Sequence, residues 1–212
     1  MTFALVDSER PIPATKHFKT KIQHLKSNSM KTITLFTVTA ILLLQPLVAQ
    51  DKYICRNGHI WFHSEAPMET IEGHNRQVSS VLDASNGNLV FQILMKSFQF
   101  EKALMQEHFN ENYVESDKFP KSSFSGQIKD FELVDLKSDE IQEVTVAGEL
   151  TIHGVTQPVS SNGTLQMVDG KLVTKSTFQI AVADYDIKIP GVVKENISKI
   201  VDIHVDVAYE AR

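Results

Sequence analysis

The chain has 212 residues, of which 42% are hydrophobic and 22% are charged, and its formal net charge is −5. This acidic balance argues against nucleic acid or an anionic membrane surface as a partner. The single cysteine, Cys55, excludes an internal disulfide and zinc sites built from cysteine pairs, and we interpret it as a buried strand thiol. A core of about 160 residues must therefore hold the fold without covalent help.

The first 49 residues have the pattern of a leader rather than of a folded domain. Met30-Lys31 precede a short apolar run, Thr32 to Leu44, and the following "QPLVAQ" places Ala49 at a plausible cleavage site. A basic start, a short apolar run and a small residue at the cut are typical of a secretory signal peptide. The run is shorter than the about 20 residues that a membrane span needs. We predict a signal peptide at residues 30–49, cleavage near Ala49, and a periplasmic or secreted protein.

Residues 1–29 form a polar lead that is unusual before a signal peptide. Either Met30 is the true start and the lead is an over-extended reading frame, or the lead is a long basic n-region. In both cases it lies outside the fold, which we assign to residues 50–212 as one domain. Residues 1–49 hold six of the 21 basic and two of the 26 acidic residues, so this domain has a net charge of −9. Its ligand is then expected to be neutral or apolar.

From Gln50 onward, apolar and polar residues alternate and turn residues recur at short intervals, which is typical of antiparallel β-structure. The predicted strands are, in order, "KYICR", "HIWFHS", "TIEGHNRQVSSVLD", "NLVFQILMK", "KSSFSGQIK", "EVTVAGELTIHG", "SNGTLQMV", "KLVTKSTFQIAV" and "IVDIHVDVAYE". Asn86-Gly87 and Asp169-Gly170 are predicted turns, the latter a two-residue hairpin turn. About eight strands with one apolar and one polar face each predict an all-β protein with a closed antiparallel barrel.

One segment, "EKALMQEHFNENYV", breaks the period of two. It places apolar and large polar residues at helical spacing, with good helix formers between them: Leu104, Met105, His108, Phe109 and Asn112. We therefore predict one short α-helix inserted between two strands and ending before "SDKFP".

The middle of the chain carries two motifs. The first, "MQEHFNENYVESDKFPKSSFSG", has a helix that ends in an acidic segment, then Asp-x-Phe-Pro at Asp117, Phe119 and Pro120, then a strand containing Phe124. The second, "VAGELTIHGVTQPVS", reads Leu-Thr-Ile-His-Gly-Val-Thr from residue 150 and is followed by a proline. In order and spacing the two motifs resemble the YceI-like family of secreted bacterial proteins. The resemblance implies an extended, lipocalin-like barrel whose interior binds a long isoprenoid or another amphiphilic lipid.

The chain departs from the pattern of that family at two places. The family's usual Asn-Arg-x-Asp-Phe-Gly segment is replaced by "DYDIKIPGVVKENIS", and the early segment "NGHIWFHSEAPMETIEGHNRQV" differs from the more familiar first strands. These departures concern the identity of the ligand more than the fold.

Apolar residues of the inner strand faces and of the helix are candidates for the wall of a lipid tunnel. Eight strands leave an interior just wide enough for side chains or for one small ligand. The residues alone favour a filled core, whereas the resemblance favours a tunnel. The predicted wall consists of Phe91, Ile93, Met95, Phe98, Phe100, Leu104, Met105, Phe109, Phe119, Phe124 and Phe178. The predicted polar mouth, from the helix end and the acidic segment, consists of His108, Asn112 and Asp117.

Three classes of function are compatible with this sequence. The leading hypothesis is a binding protein that holds an isoprenoid-tailed or other long-chain lipid. The first alternative is a filled barrel that docks a partner through its surface, and the least supported is an enzyme that uses a histidine cluster. We predict no cofactor, no nucleic-acid partner and no membrane-spanning segment in the mature protein. A homodimer is compatible with the sequence.

The histidines give little support to a metal or catalytic site. His59 and His63 share one face of a strand, His153 is predicted to shape a turn by bonding backbone or a carboxylate, and His204 to lie on a solvated face. The sequence has no helical zinc motif, nucleophile elbow or phosphate-binding glycine loop. We therefore predict no metal and no catalytic residue.

Overall fold

The computed structural model describes residues 52–212, which belong to a single unit, Gln50–Arg212. The predicted lead at residues 1–29 and the predicted signal peptide at residues 30–49 lie outside the described residues. Eight antiparallel strands form a closed barrel in chain order. They are β1 (Lys52–Glu65), β2 (Thr70–Asp83), β3 (Asn88–Leu94), β4 (Lys121–Ile128), β5 (Gln142–Ile152), β6 (Val155–Val168), β7 (Lys171–Ala181) and β8 (Ile200–Ala211). The predicted all-β barrel of about eight strands with one short inserted helix is confirmed.

The two strands predicted first in the sequence are one long strand, β1, with bulges in its middle. Its register with β2 shifts between Cys55 and Gly58 and again between Gly58 and Ile60. A Cβ added at Gly58 would lie 2.5 Å from Cγ1 of Val207, so the close approach of β8 requires glycine here. Cys55 is buried and unpaired among the described residues, as predicted for a strand thiol.

The inserted helix, α1 (Ala103–His108), lies between β3 and β4 and continues as a π-turn over Phe109–Tyr113. The Val114 amide donates to the Phe109 carbonyl at 3.0 Å, which closes the wider turn. The π-turn adds one residue to the helical repeat, so Tyr113 rather than Asn112 follows Phe109 onto the inner face. In the part of the chain that the structure describes, no helix is long and apolar enough to cross a membrane.

The end of the barrel opposite α1 is filled by packed side chains. Leu82, Leu172, Val207 and Tyr209 are at most 1% exposed. The Tyr209 hydroxyl lies 2.7 Å from Ser80 Oγ, and Ser80 in turn donates to a backbone carbonyl, so the buried phenol has a partner. Burial raises the pKa of Tyr209 above its usual value and keeps the phenol protonated.

The predicted hairpin turn at Asp169-Gly170 is confirmed, since both residues have positive φ, 49° and 77°. An added Cβ at Gly170 would have no atom within 4 Å, so a substitution there acts through the backbone alone. We expect Gly170→Val to lower the free energy of unfolding by about 1 kcal/mol or more, because β-branched residues tolerate positive φ poorly. Denaturant titration measures this loss.

Gly191 supplies the matched control for this prediction. It also has open space around an added Cβ, but its φ is not positive. Gly191→Val should therefore leave the free energy of unfolding nearly unchanged. Equal losses in the two variants would show that the turn does not depend on positive φ.

Candidate functional site

The half of the barrel that carries α1 encloses a cavity of about 580 Å³. Ligand pockets in proteins are typically of roughly 300–1,000 Å³, so this volume suits one small or extended molecule. The cavity reaches down to Leu82, Leu89 and Tyr209, where the packed end begins. The barrel is therefore divided into a filled end and a hollow end.

The cavity wall is apolar, and it is built from the inner faces of the strands together with the segment around α1. Phe124 on β4 and Phe178 on β7 are only half-buried although they face inward, because empty space lies in front of them. Ten of the eleven predicted wall residues line the cavity: Phe91, Ile93, Met95, Phe98, Phe100, Leu104, Met105, Phe109, Phe124 and Phe178.

Four phenylalanines hold the segment around α1 against the barrel. Phe62 of β1, Phe98, Phe100 and Phe109 have ring centroids between 5.0 and 5.9 Å apart. Aromatic rings attract one another at such separations. Two backbone hydrogen bonds between Gln99 and His74 of β2, of 2.8 and 2.9 Å, fix the same segment. The segment is therefore a wall attached to the sheet rather than a loose cover.

The mouth of the cavity is polar, but most of its polar residues differ from the predicted ones. Lys102 Nζ donates to Glu69 Oε1 at 2.9 Å, and Asn196 Nδ2 lies 3.5 Å from Glu69 Oε2. These contacts join the start of α1, the β1–β2 turn and the segment before β8. The hydrogen bond and charge of Lys102 hold the pKa of Glu69 below its usual range, so both groups are charged at neutral pH. His108 also lines the cavity here.

Three predicted site residues lie outside the cavity. Asn112 is exposed, because the π-turn rotates it away from the inner face. Asp117 is exposed and accepts a hydrogen bond from Lys96 on the outer surface. Phe119 packs edge-on against His153, with ring centroids 4.6 Å apart, and an added Cβ at Gly154 would lie 2.6 Å from its ring. Its role in the structure is to cover a turn.

Comparison with known proteins agrees with this architecture. Residues 56–209 match the YceI-like domain family. The chain belongs to that family.

Several solved structures share the fold of this YceI-like domain. A polyisoprenoid binding domain from Saccharophagus degradans, implicated in plant cell wall breakdown, is 15% identical, with a TM-score of 0.66 over 76% of this chain and 99% of that one. BcnA of Burkholderia cenocepacia is 15% identical, with a TM-score of 0.59 over 71% and 95%. The YCEI protein of Campylobacter jejuni is 17% identical, with a TM-score of 0.53 over 66% and 85%. No curated protein matches the sequence.

The His-Gly motif of this YceI-like domain ties the barrel to the loop after α1. His153 and Gly154 form the β5–β6 turn with positive φ of 52° and 77°. The His153 ring bonds the Tyr185 carbonyl through Nδ1 at 3.0 Å, and its Nε2 lies 2.9 Å from Glu115 Oε2. As predicted, this histidine shapes a turn by contacting backbone and a carboxylate.

The segment that replaces the family's usual late motif supplies part of the cavity wall. Ile187, Ile189, Val193 and Ile197 all line the cavity, in a stretch with only a short 3₁₀ turn at Gly191–Val193. These residues are not among the predicted wall residues, because the stretch has neither strand nor helix periodicity. The sequence feature that could have identified this part of the wall is the apolar composition of "IKIPGVV".

Strands β6 and β7 of the YceI-like domain pair only over the halves next to their turn, as far as Gly163 and Ser176. Beyond that point residues 155–162 of β6 have no partner on β7. The hydroxyls of Ser161 and Ser176 lie 2.6 Å apart at the fork, and the cavity extends to the exposed Lys175 beside it. The two strands therefore diverge from this point toward the end of the barrel that carries α1.

Proposed function

We propose that this YceI-like domain binds a long-chain amphiphilic lipid, with an isoprenoid tail as the best fit, and holds the tail inside the barrel. The cavity of about 580 Å³ carries this proposal, because its wall is mainly apolar, its inner end meets buried side chains and its mouth is polar. In a filled barrel that acts only through its surface, interdigitated side chains would occupy this space. The similarity to a protein described as a polyisoprenoid binding domain supports binding rather than catalysis.

The energetics favour a long tail. Each methylene removed from water contributes about 0.8 kcal/mol, so a tail with ten buried carbons gains roughly 8 kcal/mol. Association itself costs on the order of 4–15 kcal/mol in lost freedom. A tail of one isoprene unit, with five carbons, would gain only about 4 kcal/mol and would not exceed this cost, whereas a tail of four units would gain about 16 kcal/mol and would exceed it.

The mouth favours a polar headgroup without net charge. The opposite charges of Glu69 and Lys102 cancel, because the two side chains form an ion pair. Beside them, the amide of Asn196 and the imidazole of His108 can form hydrogen bonds. The net charge of −9 on residues 50–212 disfavours an anionic headgroup. A quinone-like or amide headgroup meets both conditions.

Native mass spectrometry of the protein purified from its own host, followed by lipid extraction, tests this proposal. The expected result is a bound species whose extract contains a long-chain lipid. A homogeneous ligand-free protein that also binds no long-chain isoprenoid probe in fluorescence titration would overturn it.

We further propose that the domain acts outside the cytoplasm after removal of residues 30–49, on the strength of the apolar run and the small residue before Gln50. Protein isolated from its host should begin at or within two residues of Gln50. N-terminal sequencing measures this directly. Retention of residues 1–29 would contradict both the proposed localisation and the charge assigned to the mature protein.

A further inference from the structure

A second group of functional side chains lies on the outer surface of the barrel, away from the cavity. Adjacent outward positions of β1, β2 and β8 bring together four of the protein's eight histidines. They are His59, His63, His74 and His204. They surround Trp61, the only tryptophan of the chain, which pairs with His74 across β1–β2 and with His204 across β1–β8.

Three rings of this cluster, those of His59, Trp61 and His204, are stacked in a row. Ring centroids are 4.6 Å apart for His59 and Trp61 and 4.7 Å apart for Trp61 and His204, with interplanar angles of 24° and 10°. Stacking covers the ring faces with neighbouring rings. The ring edges, which carry the imidazole nitrogens, are left for polar contacts.

Two of these nitrogens have the spacing of a chelate. His59 Nε2 and His74 Nδ1 lie 3.1 Å apart. When two imidazole nitrogens bind the same divalent metal at about 2.0–2.1 Å each, they lie roughly 3 Å from one another. The backbone register of β1 and β2 already holds the pair near this separation. The two rings meet edge to edge, with centroids 5.3 Å apart, so each imidazole must rotate to turn its lone pair toward a shared cation.

Glu72 orients one member of the pair. Its Oε2 lies 3.3 Å from His74 Nε2, and because a carboxylate only accepts hydrogen bonds, Nε2 carries the proton and leaves the Nδ1 lone pair available. The other oxygen, Oε1, is held by His63 Nδ1 at 3.1 Å. A carboxylate that fixes a histidine tautomer in this way is the usual outer partner of a metal-binding imidazole.

We propose that His59 and His74 form a surface site for a late first-row divalent cation, with Cu²⁺ preferred, and that Glu72 positions His74 within it. Cu²⁺ has the highest affinity of this series for nitrogen ligands. In the metal-free protein the His59 Nε2–H is donated to His74 Nδ1. On binding, His59 changes tautomer: Nε2 releases its proton to solvent, Nδ1 takes one up, and the imidazole stays neutral while Nε2 and His74 Nδ1 both bind the cation.

The site is a two-imidazole chelate. No group of three or more histidine, cysteine or carboxylate side chains within residues 52–212 is arranged to hold a metal, so water completes the coordination. Asp206, the cross-strand neighbour of His59, is engaged with Lys175 at 3.1 Å. The proposal departs from the sequence-based prediction of no metal, because His59 and His74 belong to different strands and only their register brings them together.

Trp61 makes the site testable without a label. Its ring is 4.6 Å from that of His59 and 6.2 Å from that of His74, so bound Cu²⁺ should quench its fluorescence. In a Cu²⁺ titration of the full protein, His59→Gln and His74→Gln should each raise the midpoint by more than tenfold. Glu72→Gln should raise it by about tenfold, the usual effect of losing an outer partner.

His204→Gln is the matched control. This imidazole stacks on Trp61 but lies outside the pair, so its removal should shift the midpoint by no more than twofold. Electron paramagnetic resonance of the Cu²⁺-loaded protein should show nitrogen ligands that are lost in the His59 and His74 variants. The proposal is overturned if all four variants respond alike, if the His59 and His74 variants keep the wild-type midpoint, or if the spectrum shows no nitrogen ligand.

Discussion

A tryptophan placed in the wall of the cavity should abolish lipid binding and leave the fold intact. Val146 on β5 faces the cavity and is only half-buried although it points inward. Overfilling a packed core costs about 1–3 kcal/mol, but an indole at this position enters empty space. We expect Val146→Trp to weaken binding of a long-chain isoprenoid probe at least tenfold, with a melting temperature within about 4 °C of wild type.

The control for this experiment is Val90→Trp. Val90 lies on the outer face of β3 with 48% of its surface exposed, so the larger side chain there reaches solvent and both binding and stability should be kept. Fluorescence titration with the probe measures the affinity of the two variants, and thermal unfolding measures their melting temperatures. If Val146→Trp unfolds the protein while Val90→Trp does not, the interior is packed and the lipid-binding proposal fails.

A substitution in the filled end of the barrel should lower stability and leave lipid binding unchanged. Leu172 is fully buried, at 0% exposure, among the side chains that fill that end. Leu172→Ala should lower the free energy of unfolding by about 2–5 kcal/mol, the cost of removing a core leucine and leaving a cavity. Denaturant unfolding at equilibrium measures this loss, and probe affinity of the folded fraction should be kept.

Phe109→Ala gives the complementary result at the hollow end. Phe109 is half-buried and lines the cavity, so its loss should cost less than the roughly 3–5 kcal/mol of a core phenylalanine while clearly weakening the binding of the probe. A stability loss in Phe109→Ala as large as that in Leu172→Ala, with unchanged binding, would mean that the wall around α1 belongs to the core.

Strand faces could be predicted from the sequence because each strand of the barrel has one side inside and one outside. On β8, for example, Val201, Ile203 and Val205 all line the cavity as the alternation predicts. Alternation does not distinguish a filled interior from a hollow one, because the same apolar side chains serve both. The volume that they leave between them is set by the three-dimensional packing of all eight strands.

The polar residues at the mouth of the cavity could not be predicted from local sequence patterns. Glu69, Lys102 and Asn196 come from three separate segments and meet only through the fold. Asn112 was misplaced because a π-turn is not encoded by the helical repeat, and Phe119 because an apolar residue beside a strand also serves to cover a turn. In each instance the missing information is a long-range contact rather than a residue preference.

The chain-order topology of the barrel has a consequence for how the protein folds. Seven of the eight strand pairings join neighbours in the chain, whereas the eighth joins β1 to β8 and brings together distant residues such as Tyr53 and Ala211. Closing a long loop costs more entropy than closing a hairpin, so we expect the pairing of β1 with β8 to form last during folding. Trp61 of β1 stacks on His204 of β8 across this strand pair. The fluorescence of Trp61 should therefore change in the final kinetic phase of folding, when pairing of β1 with β8 closes the barrel.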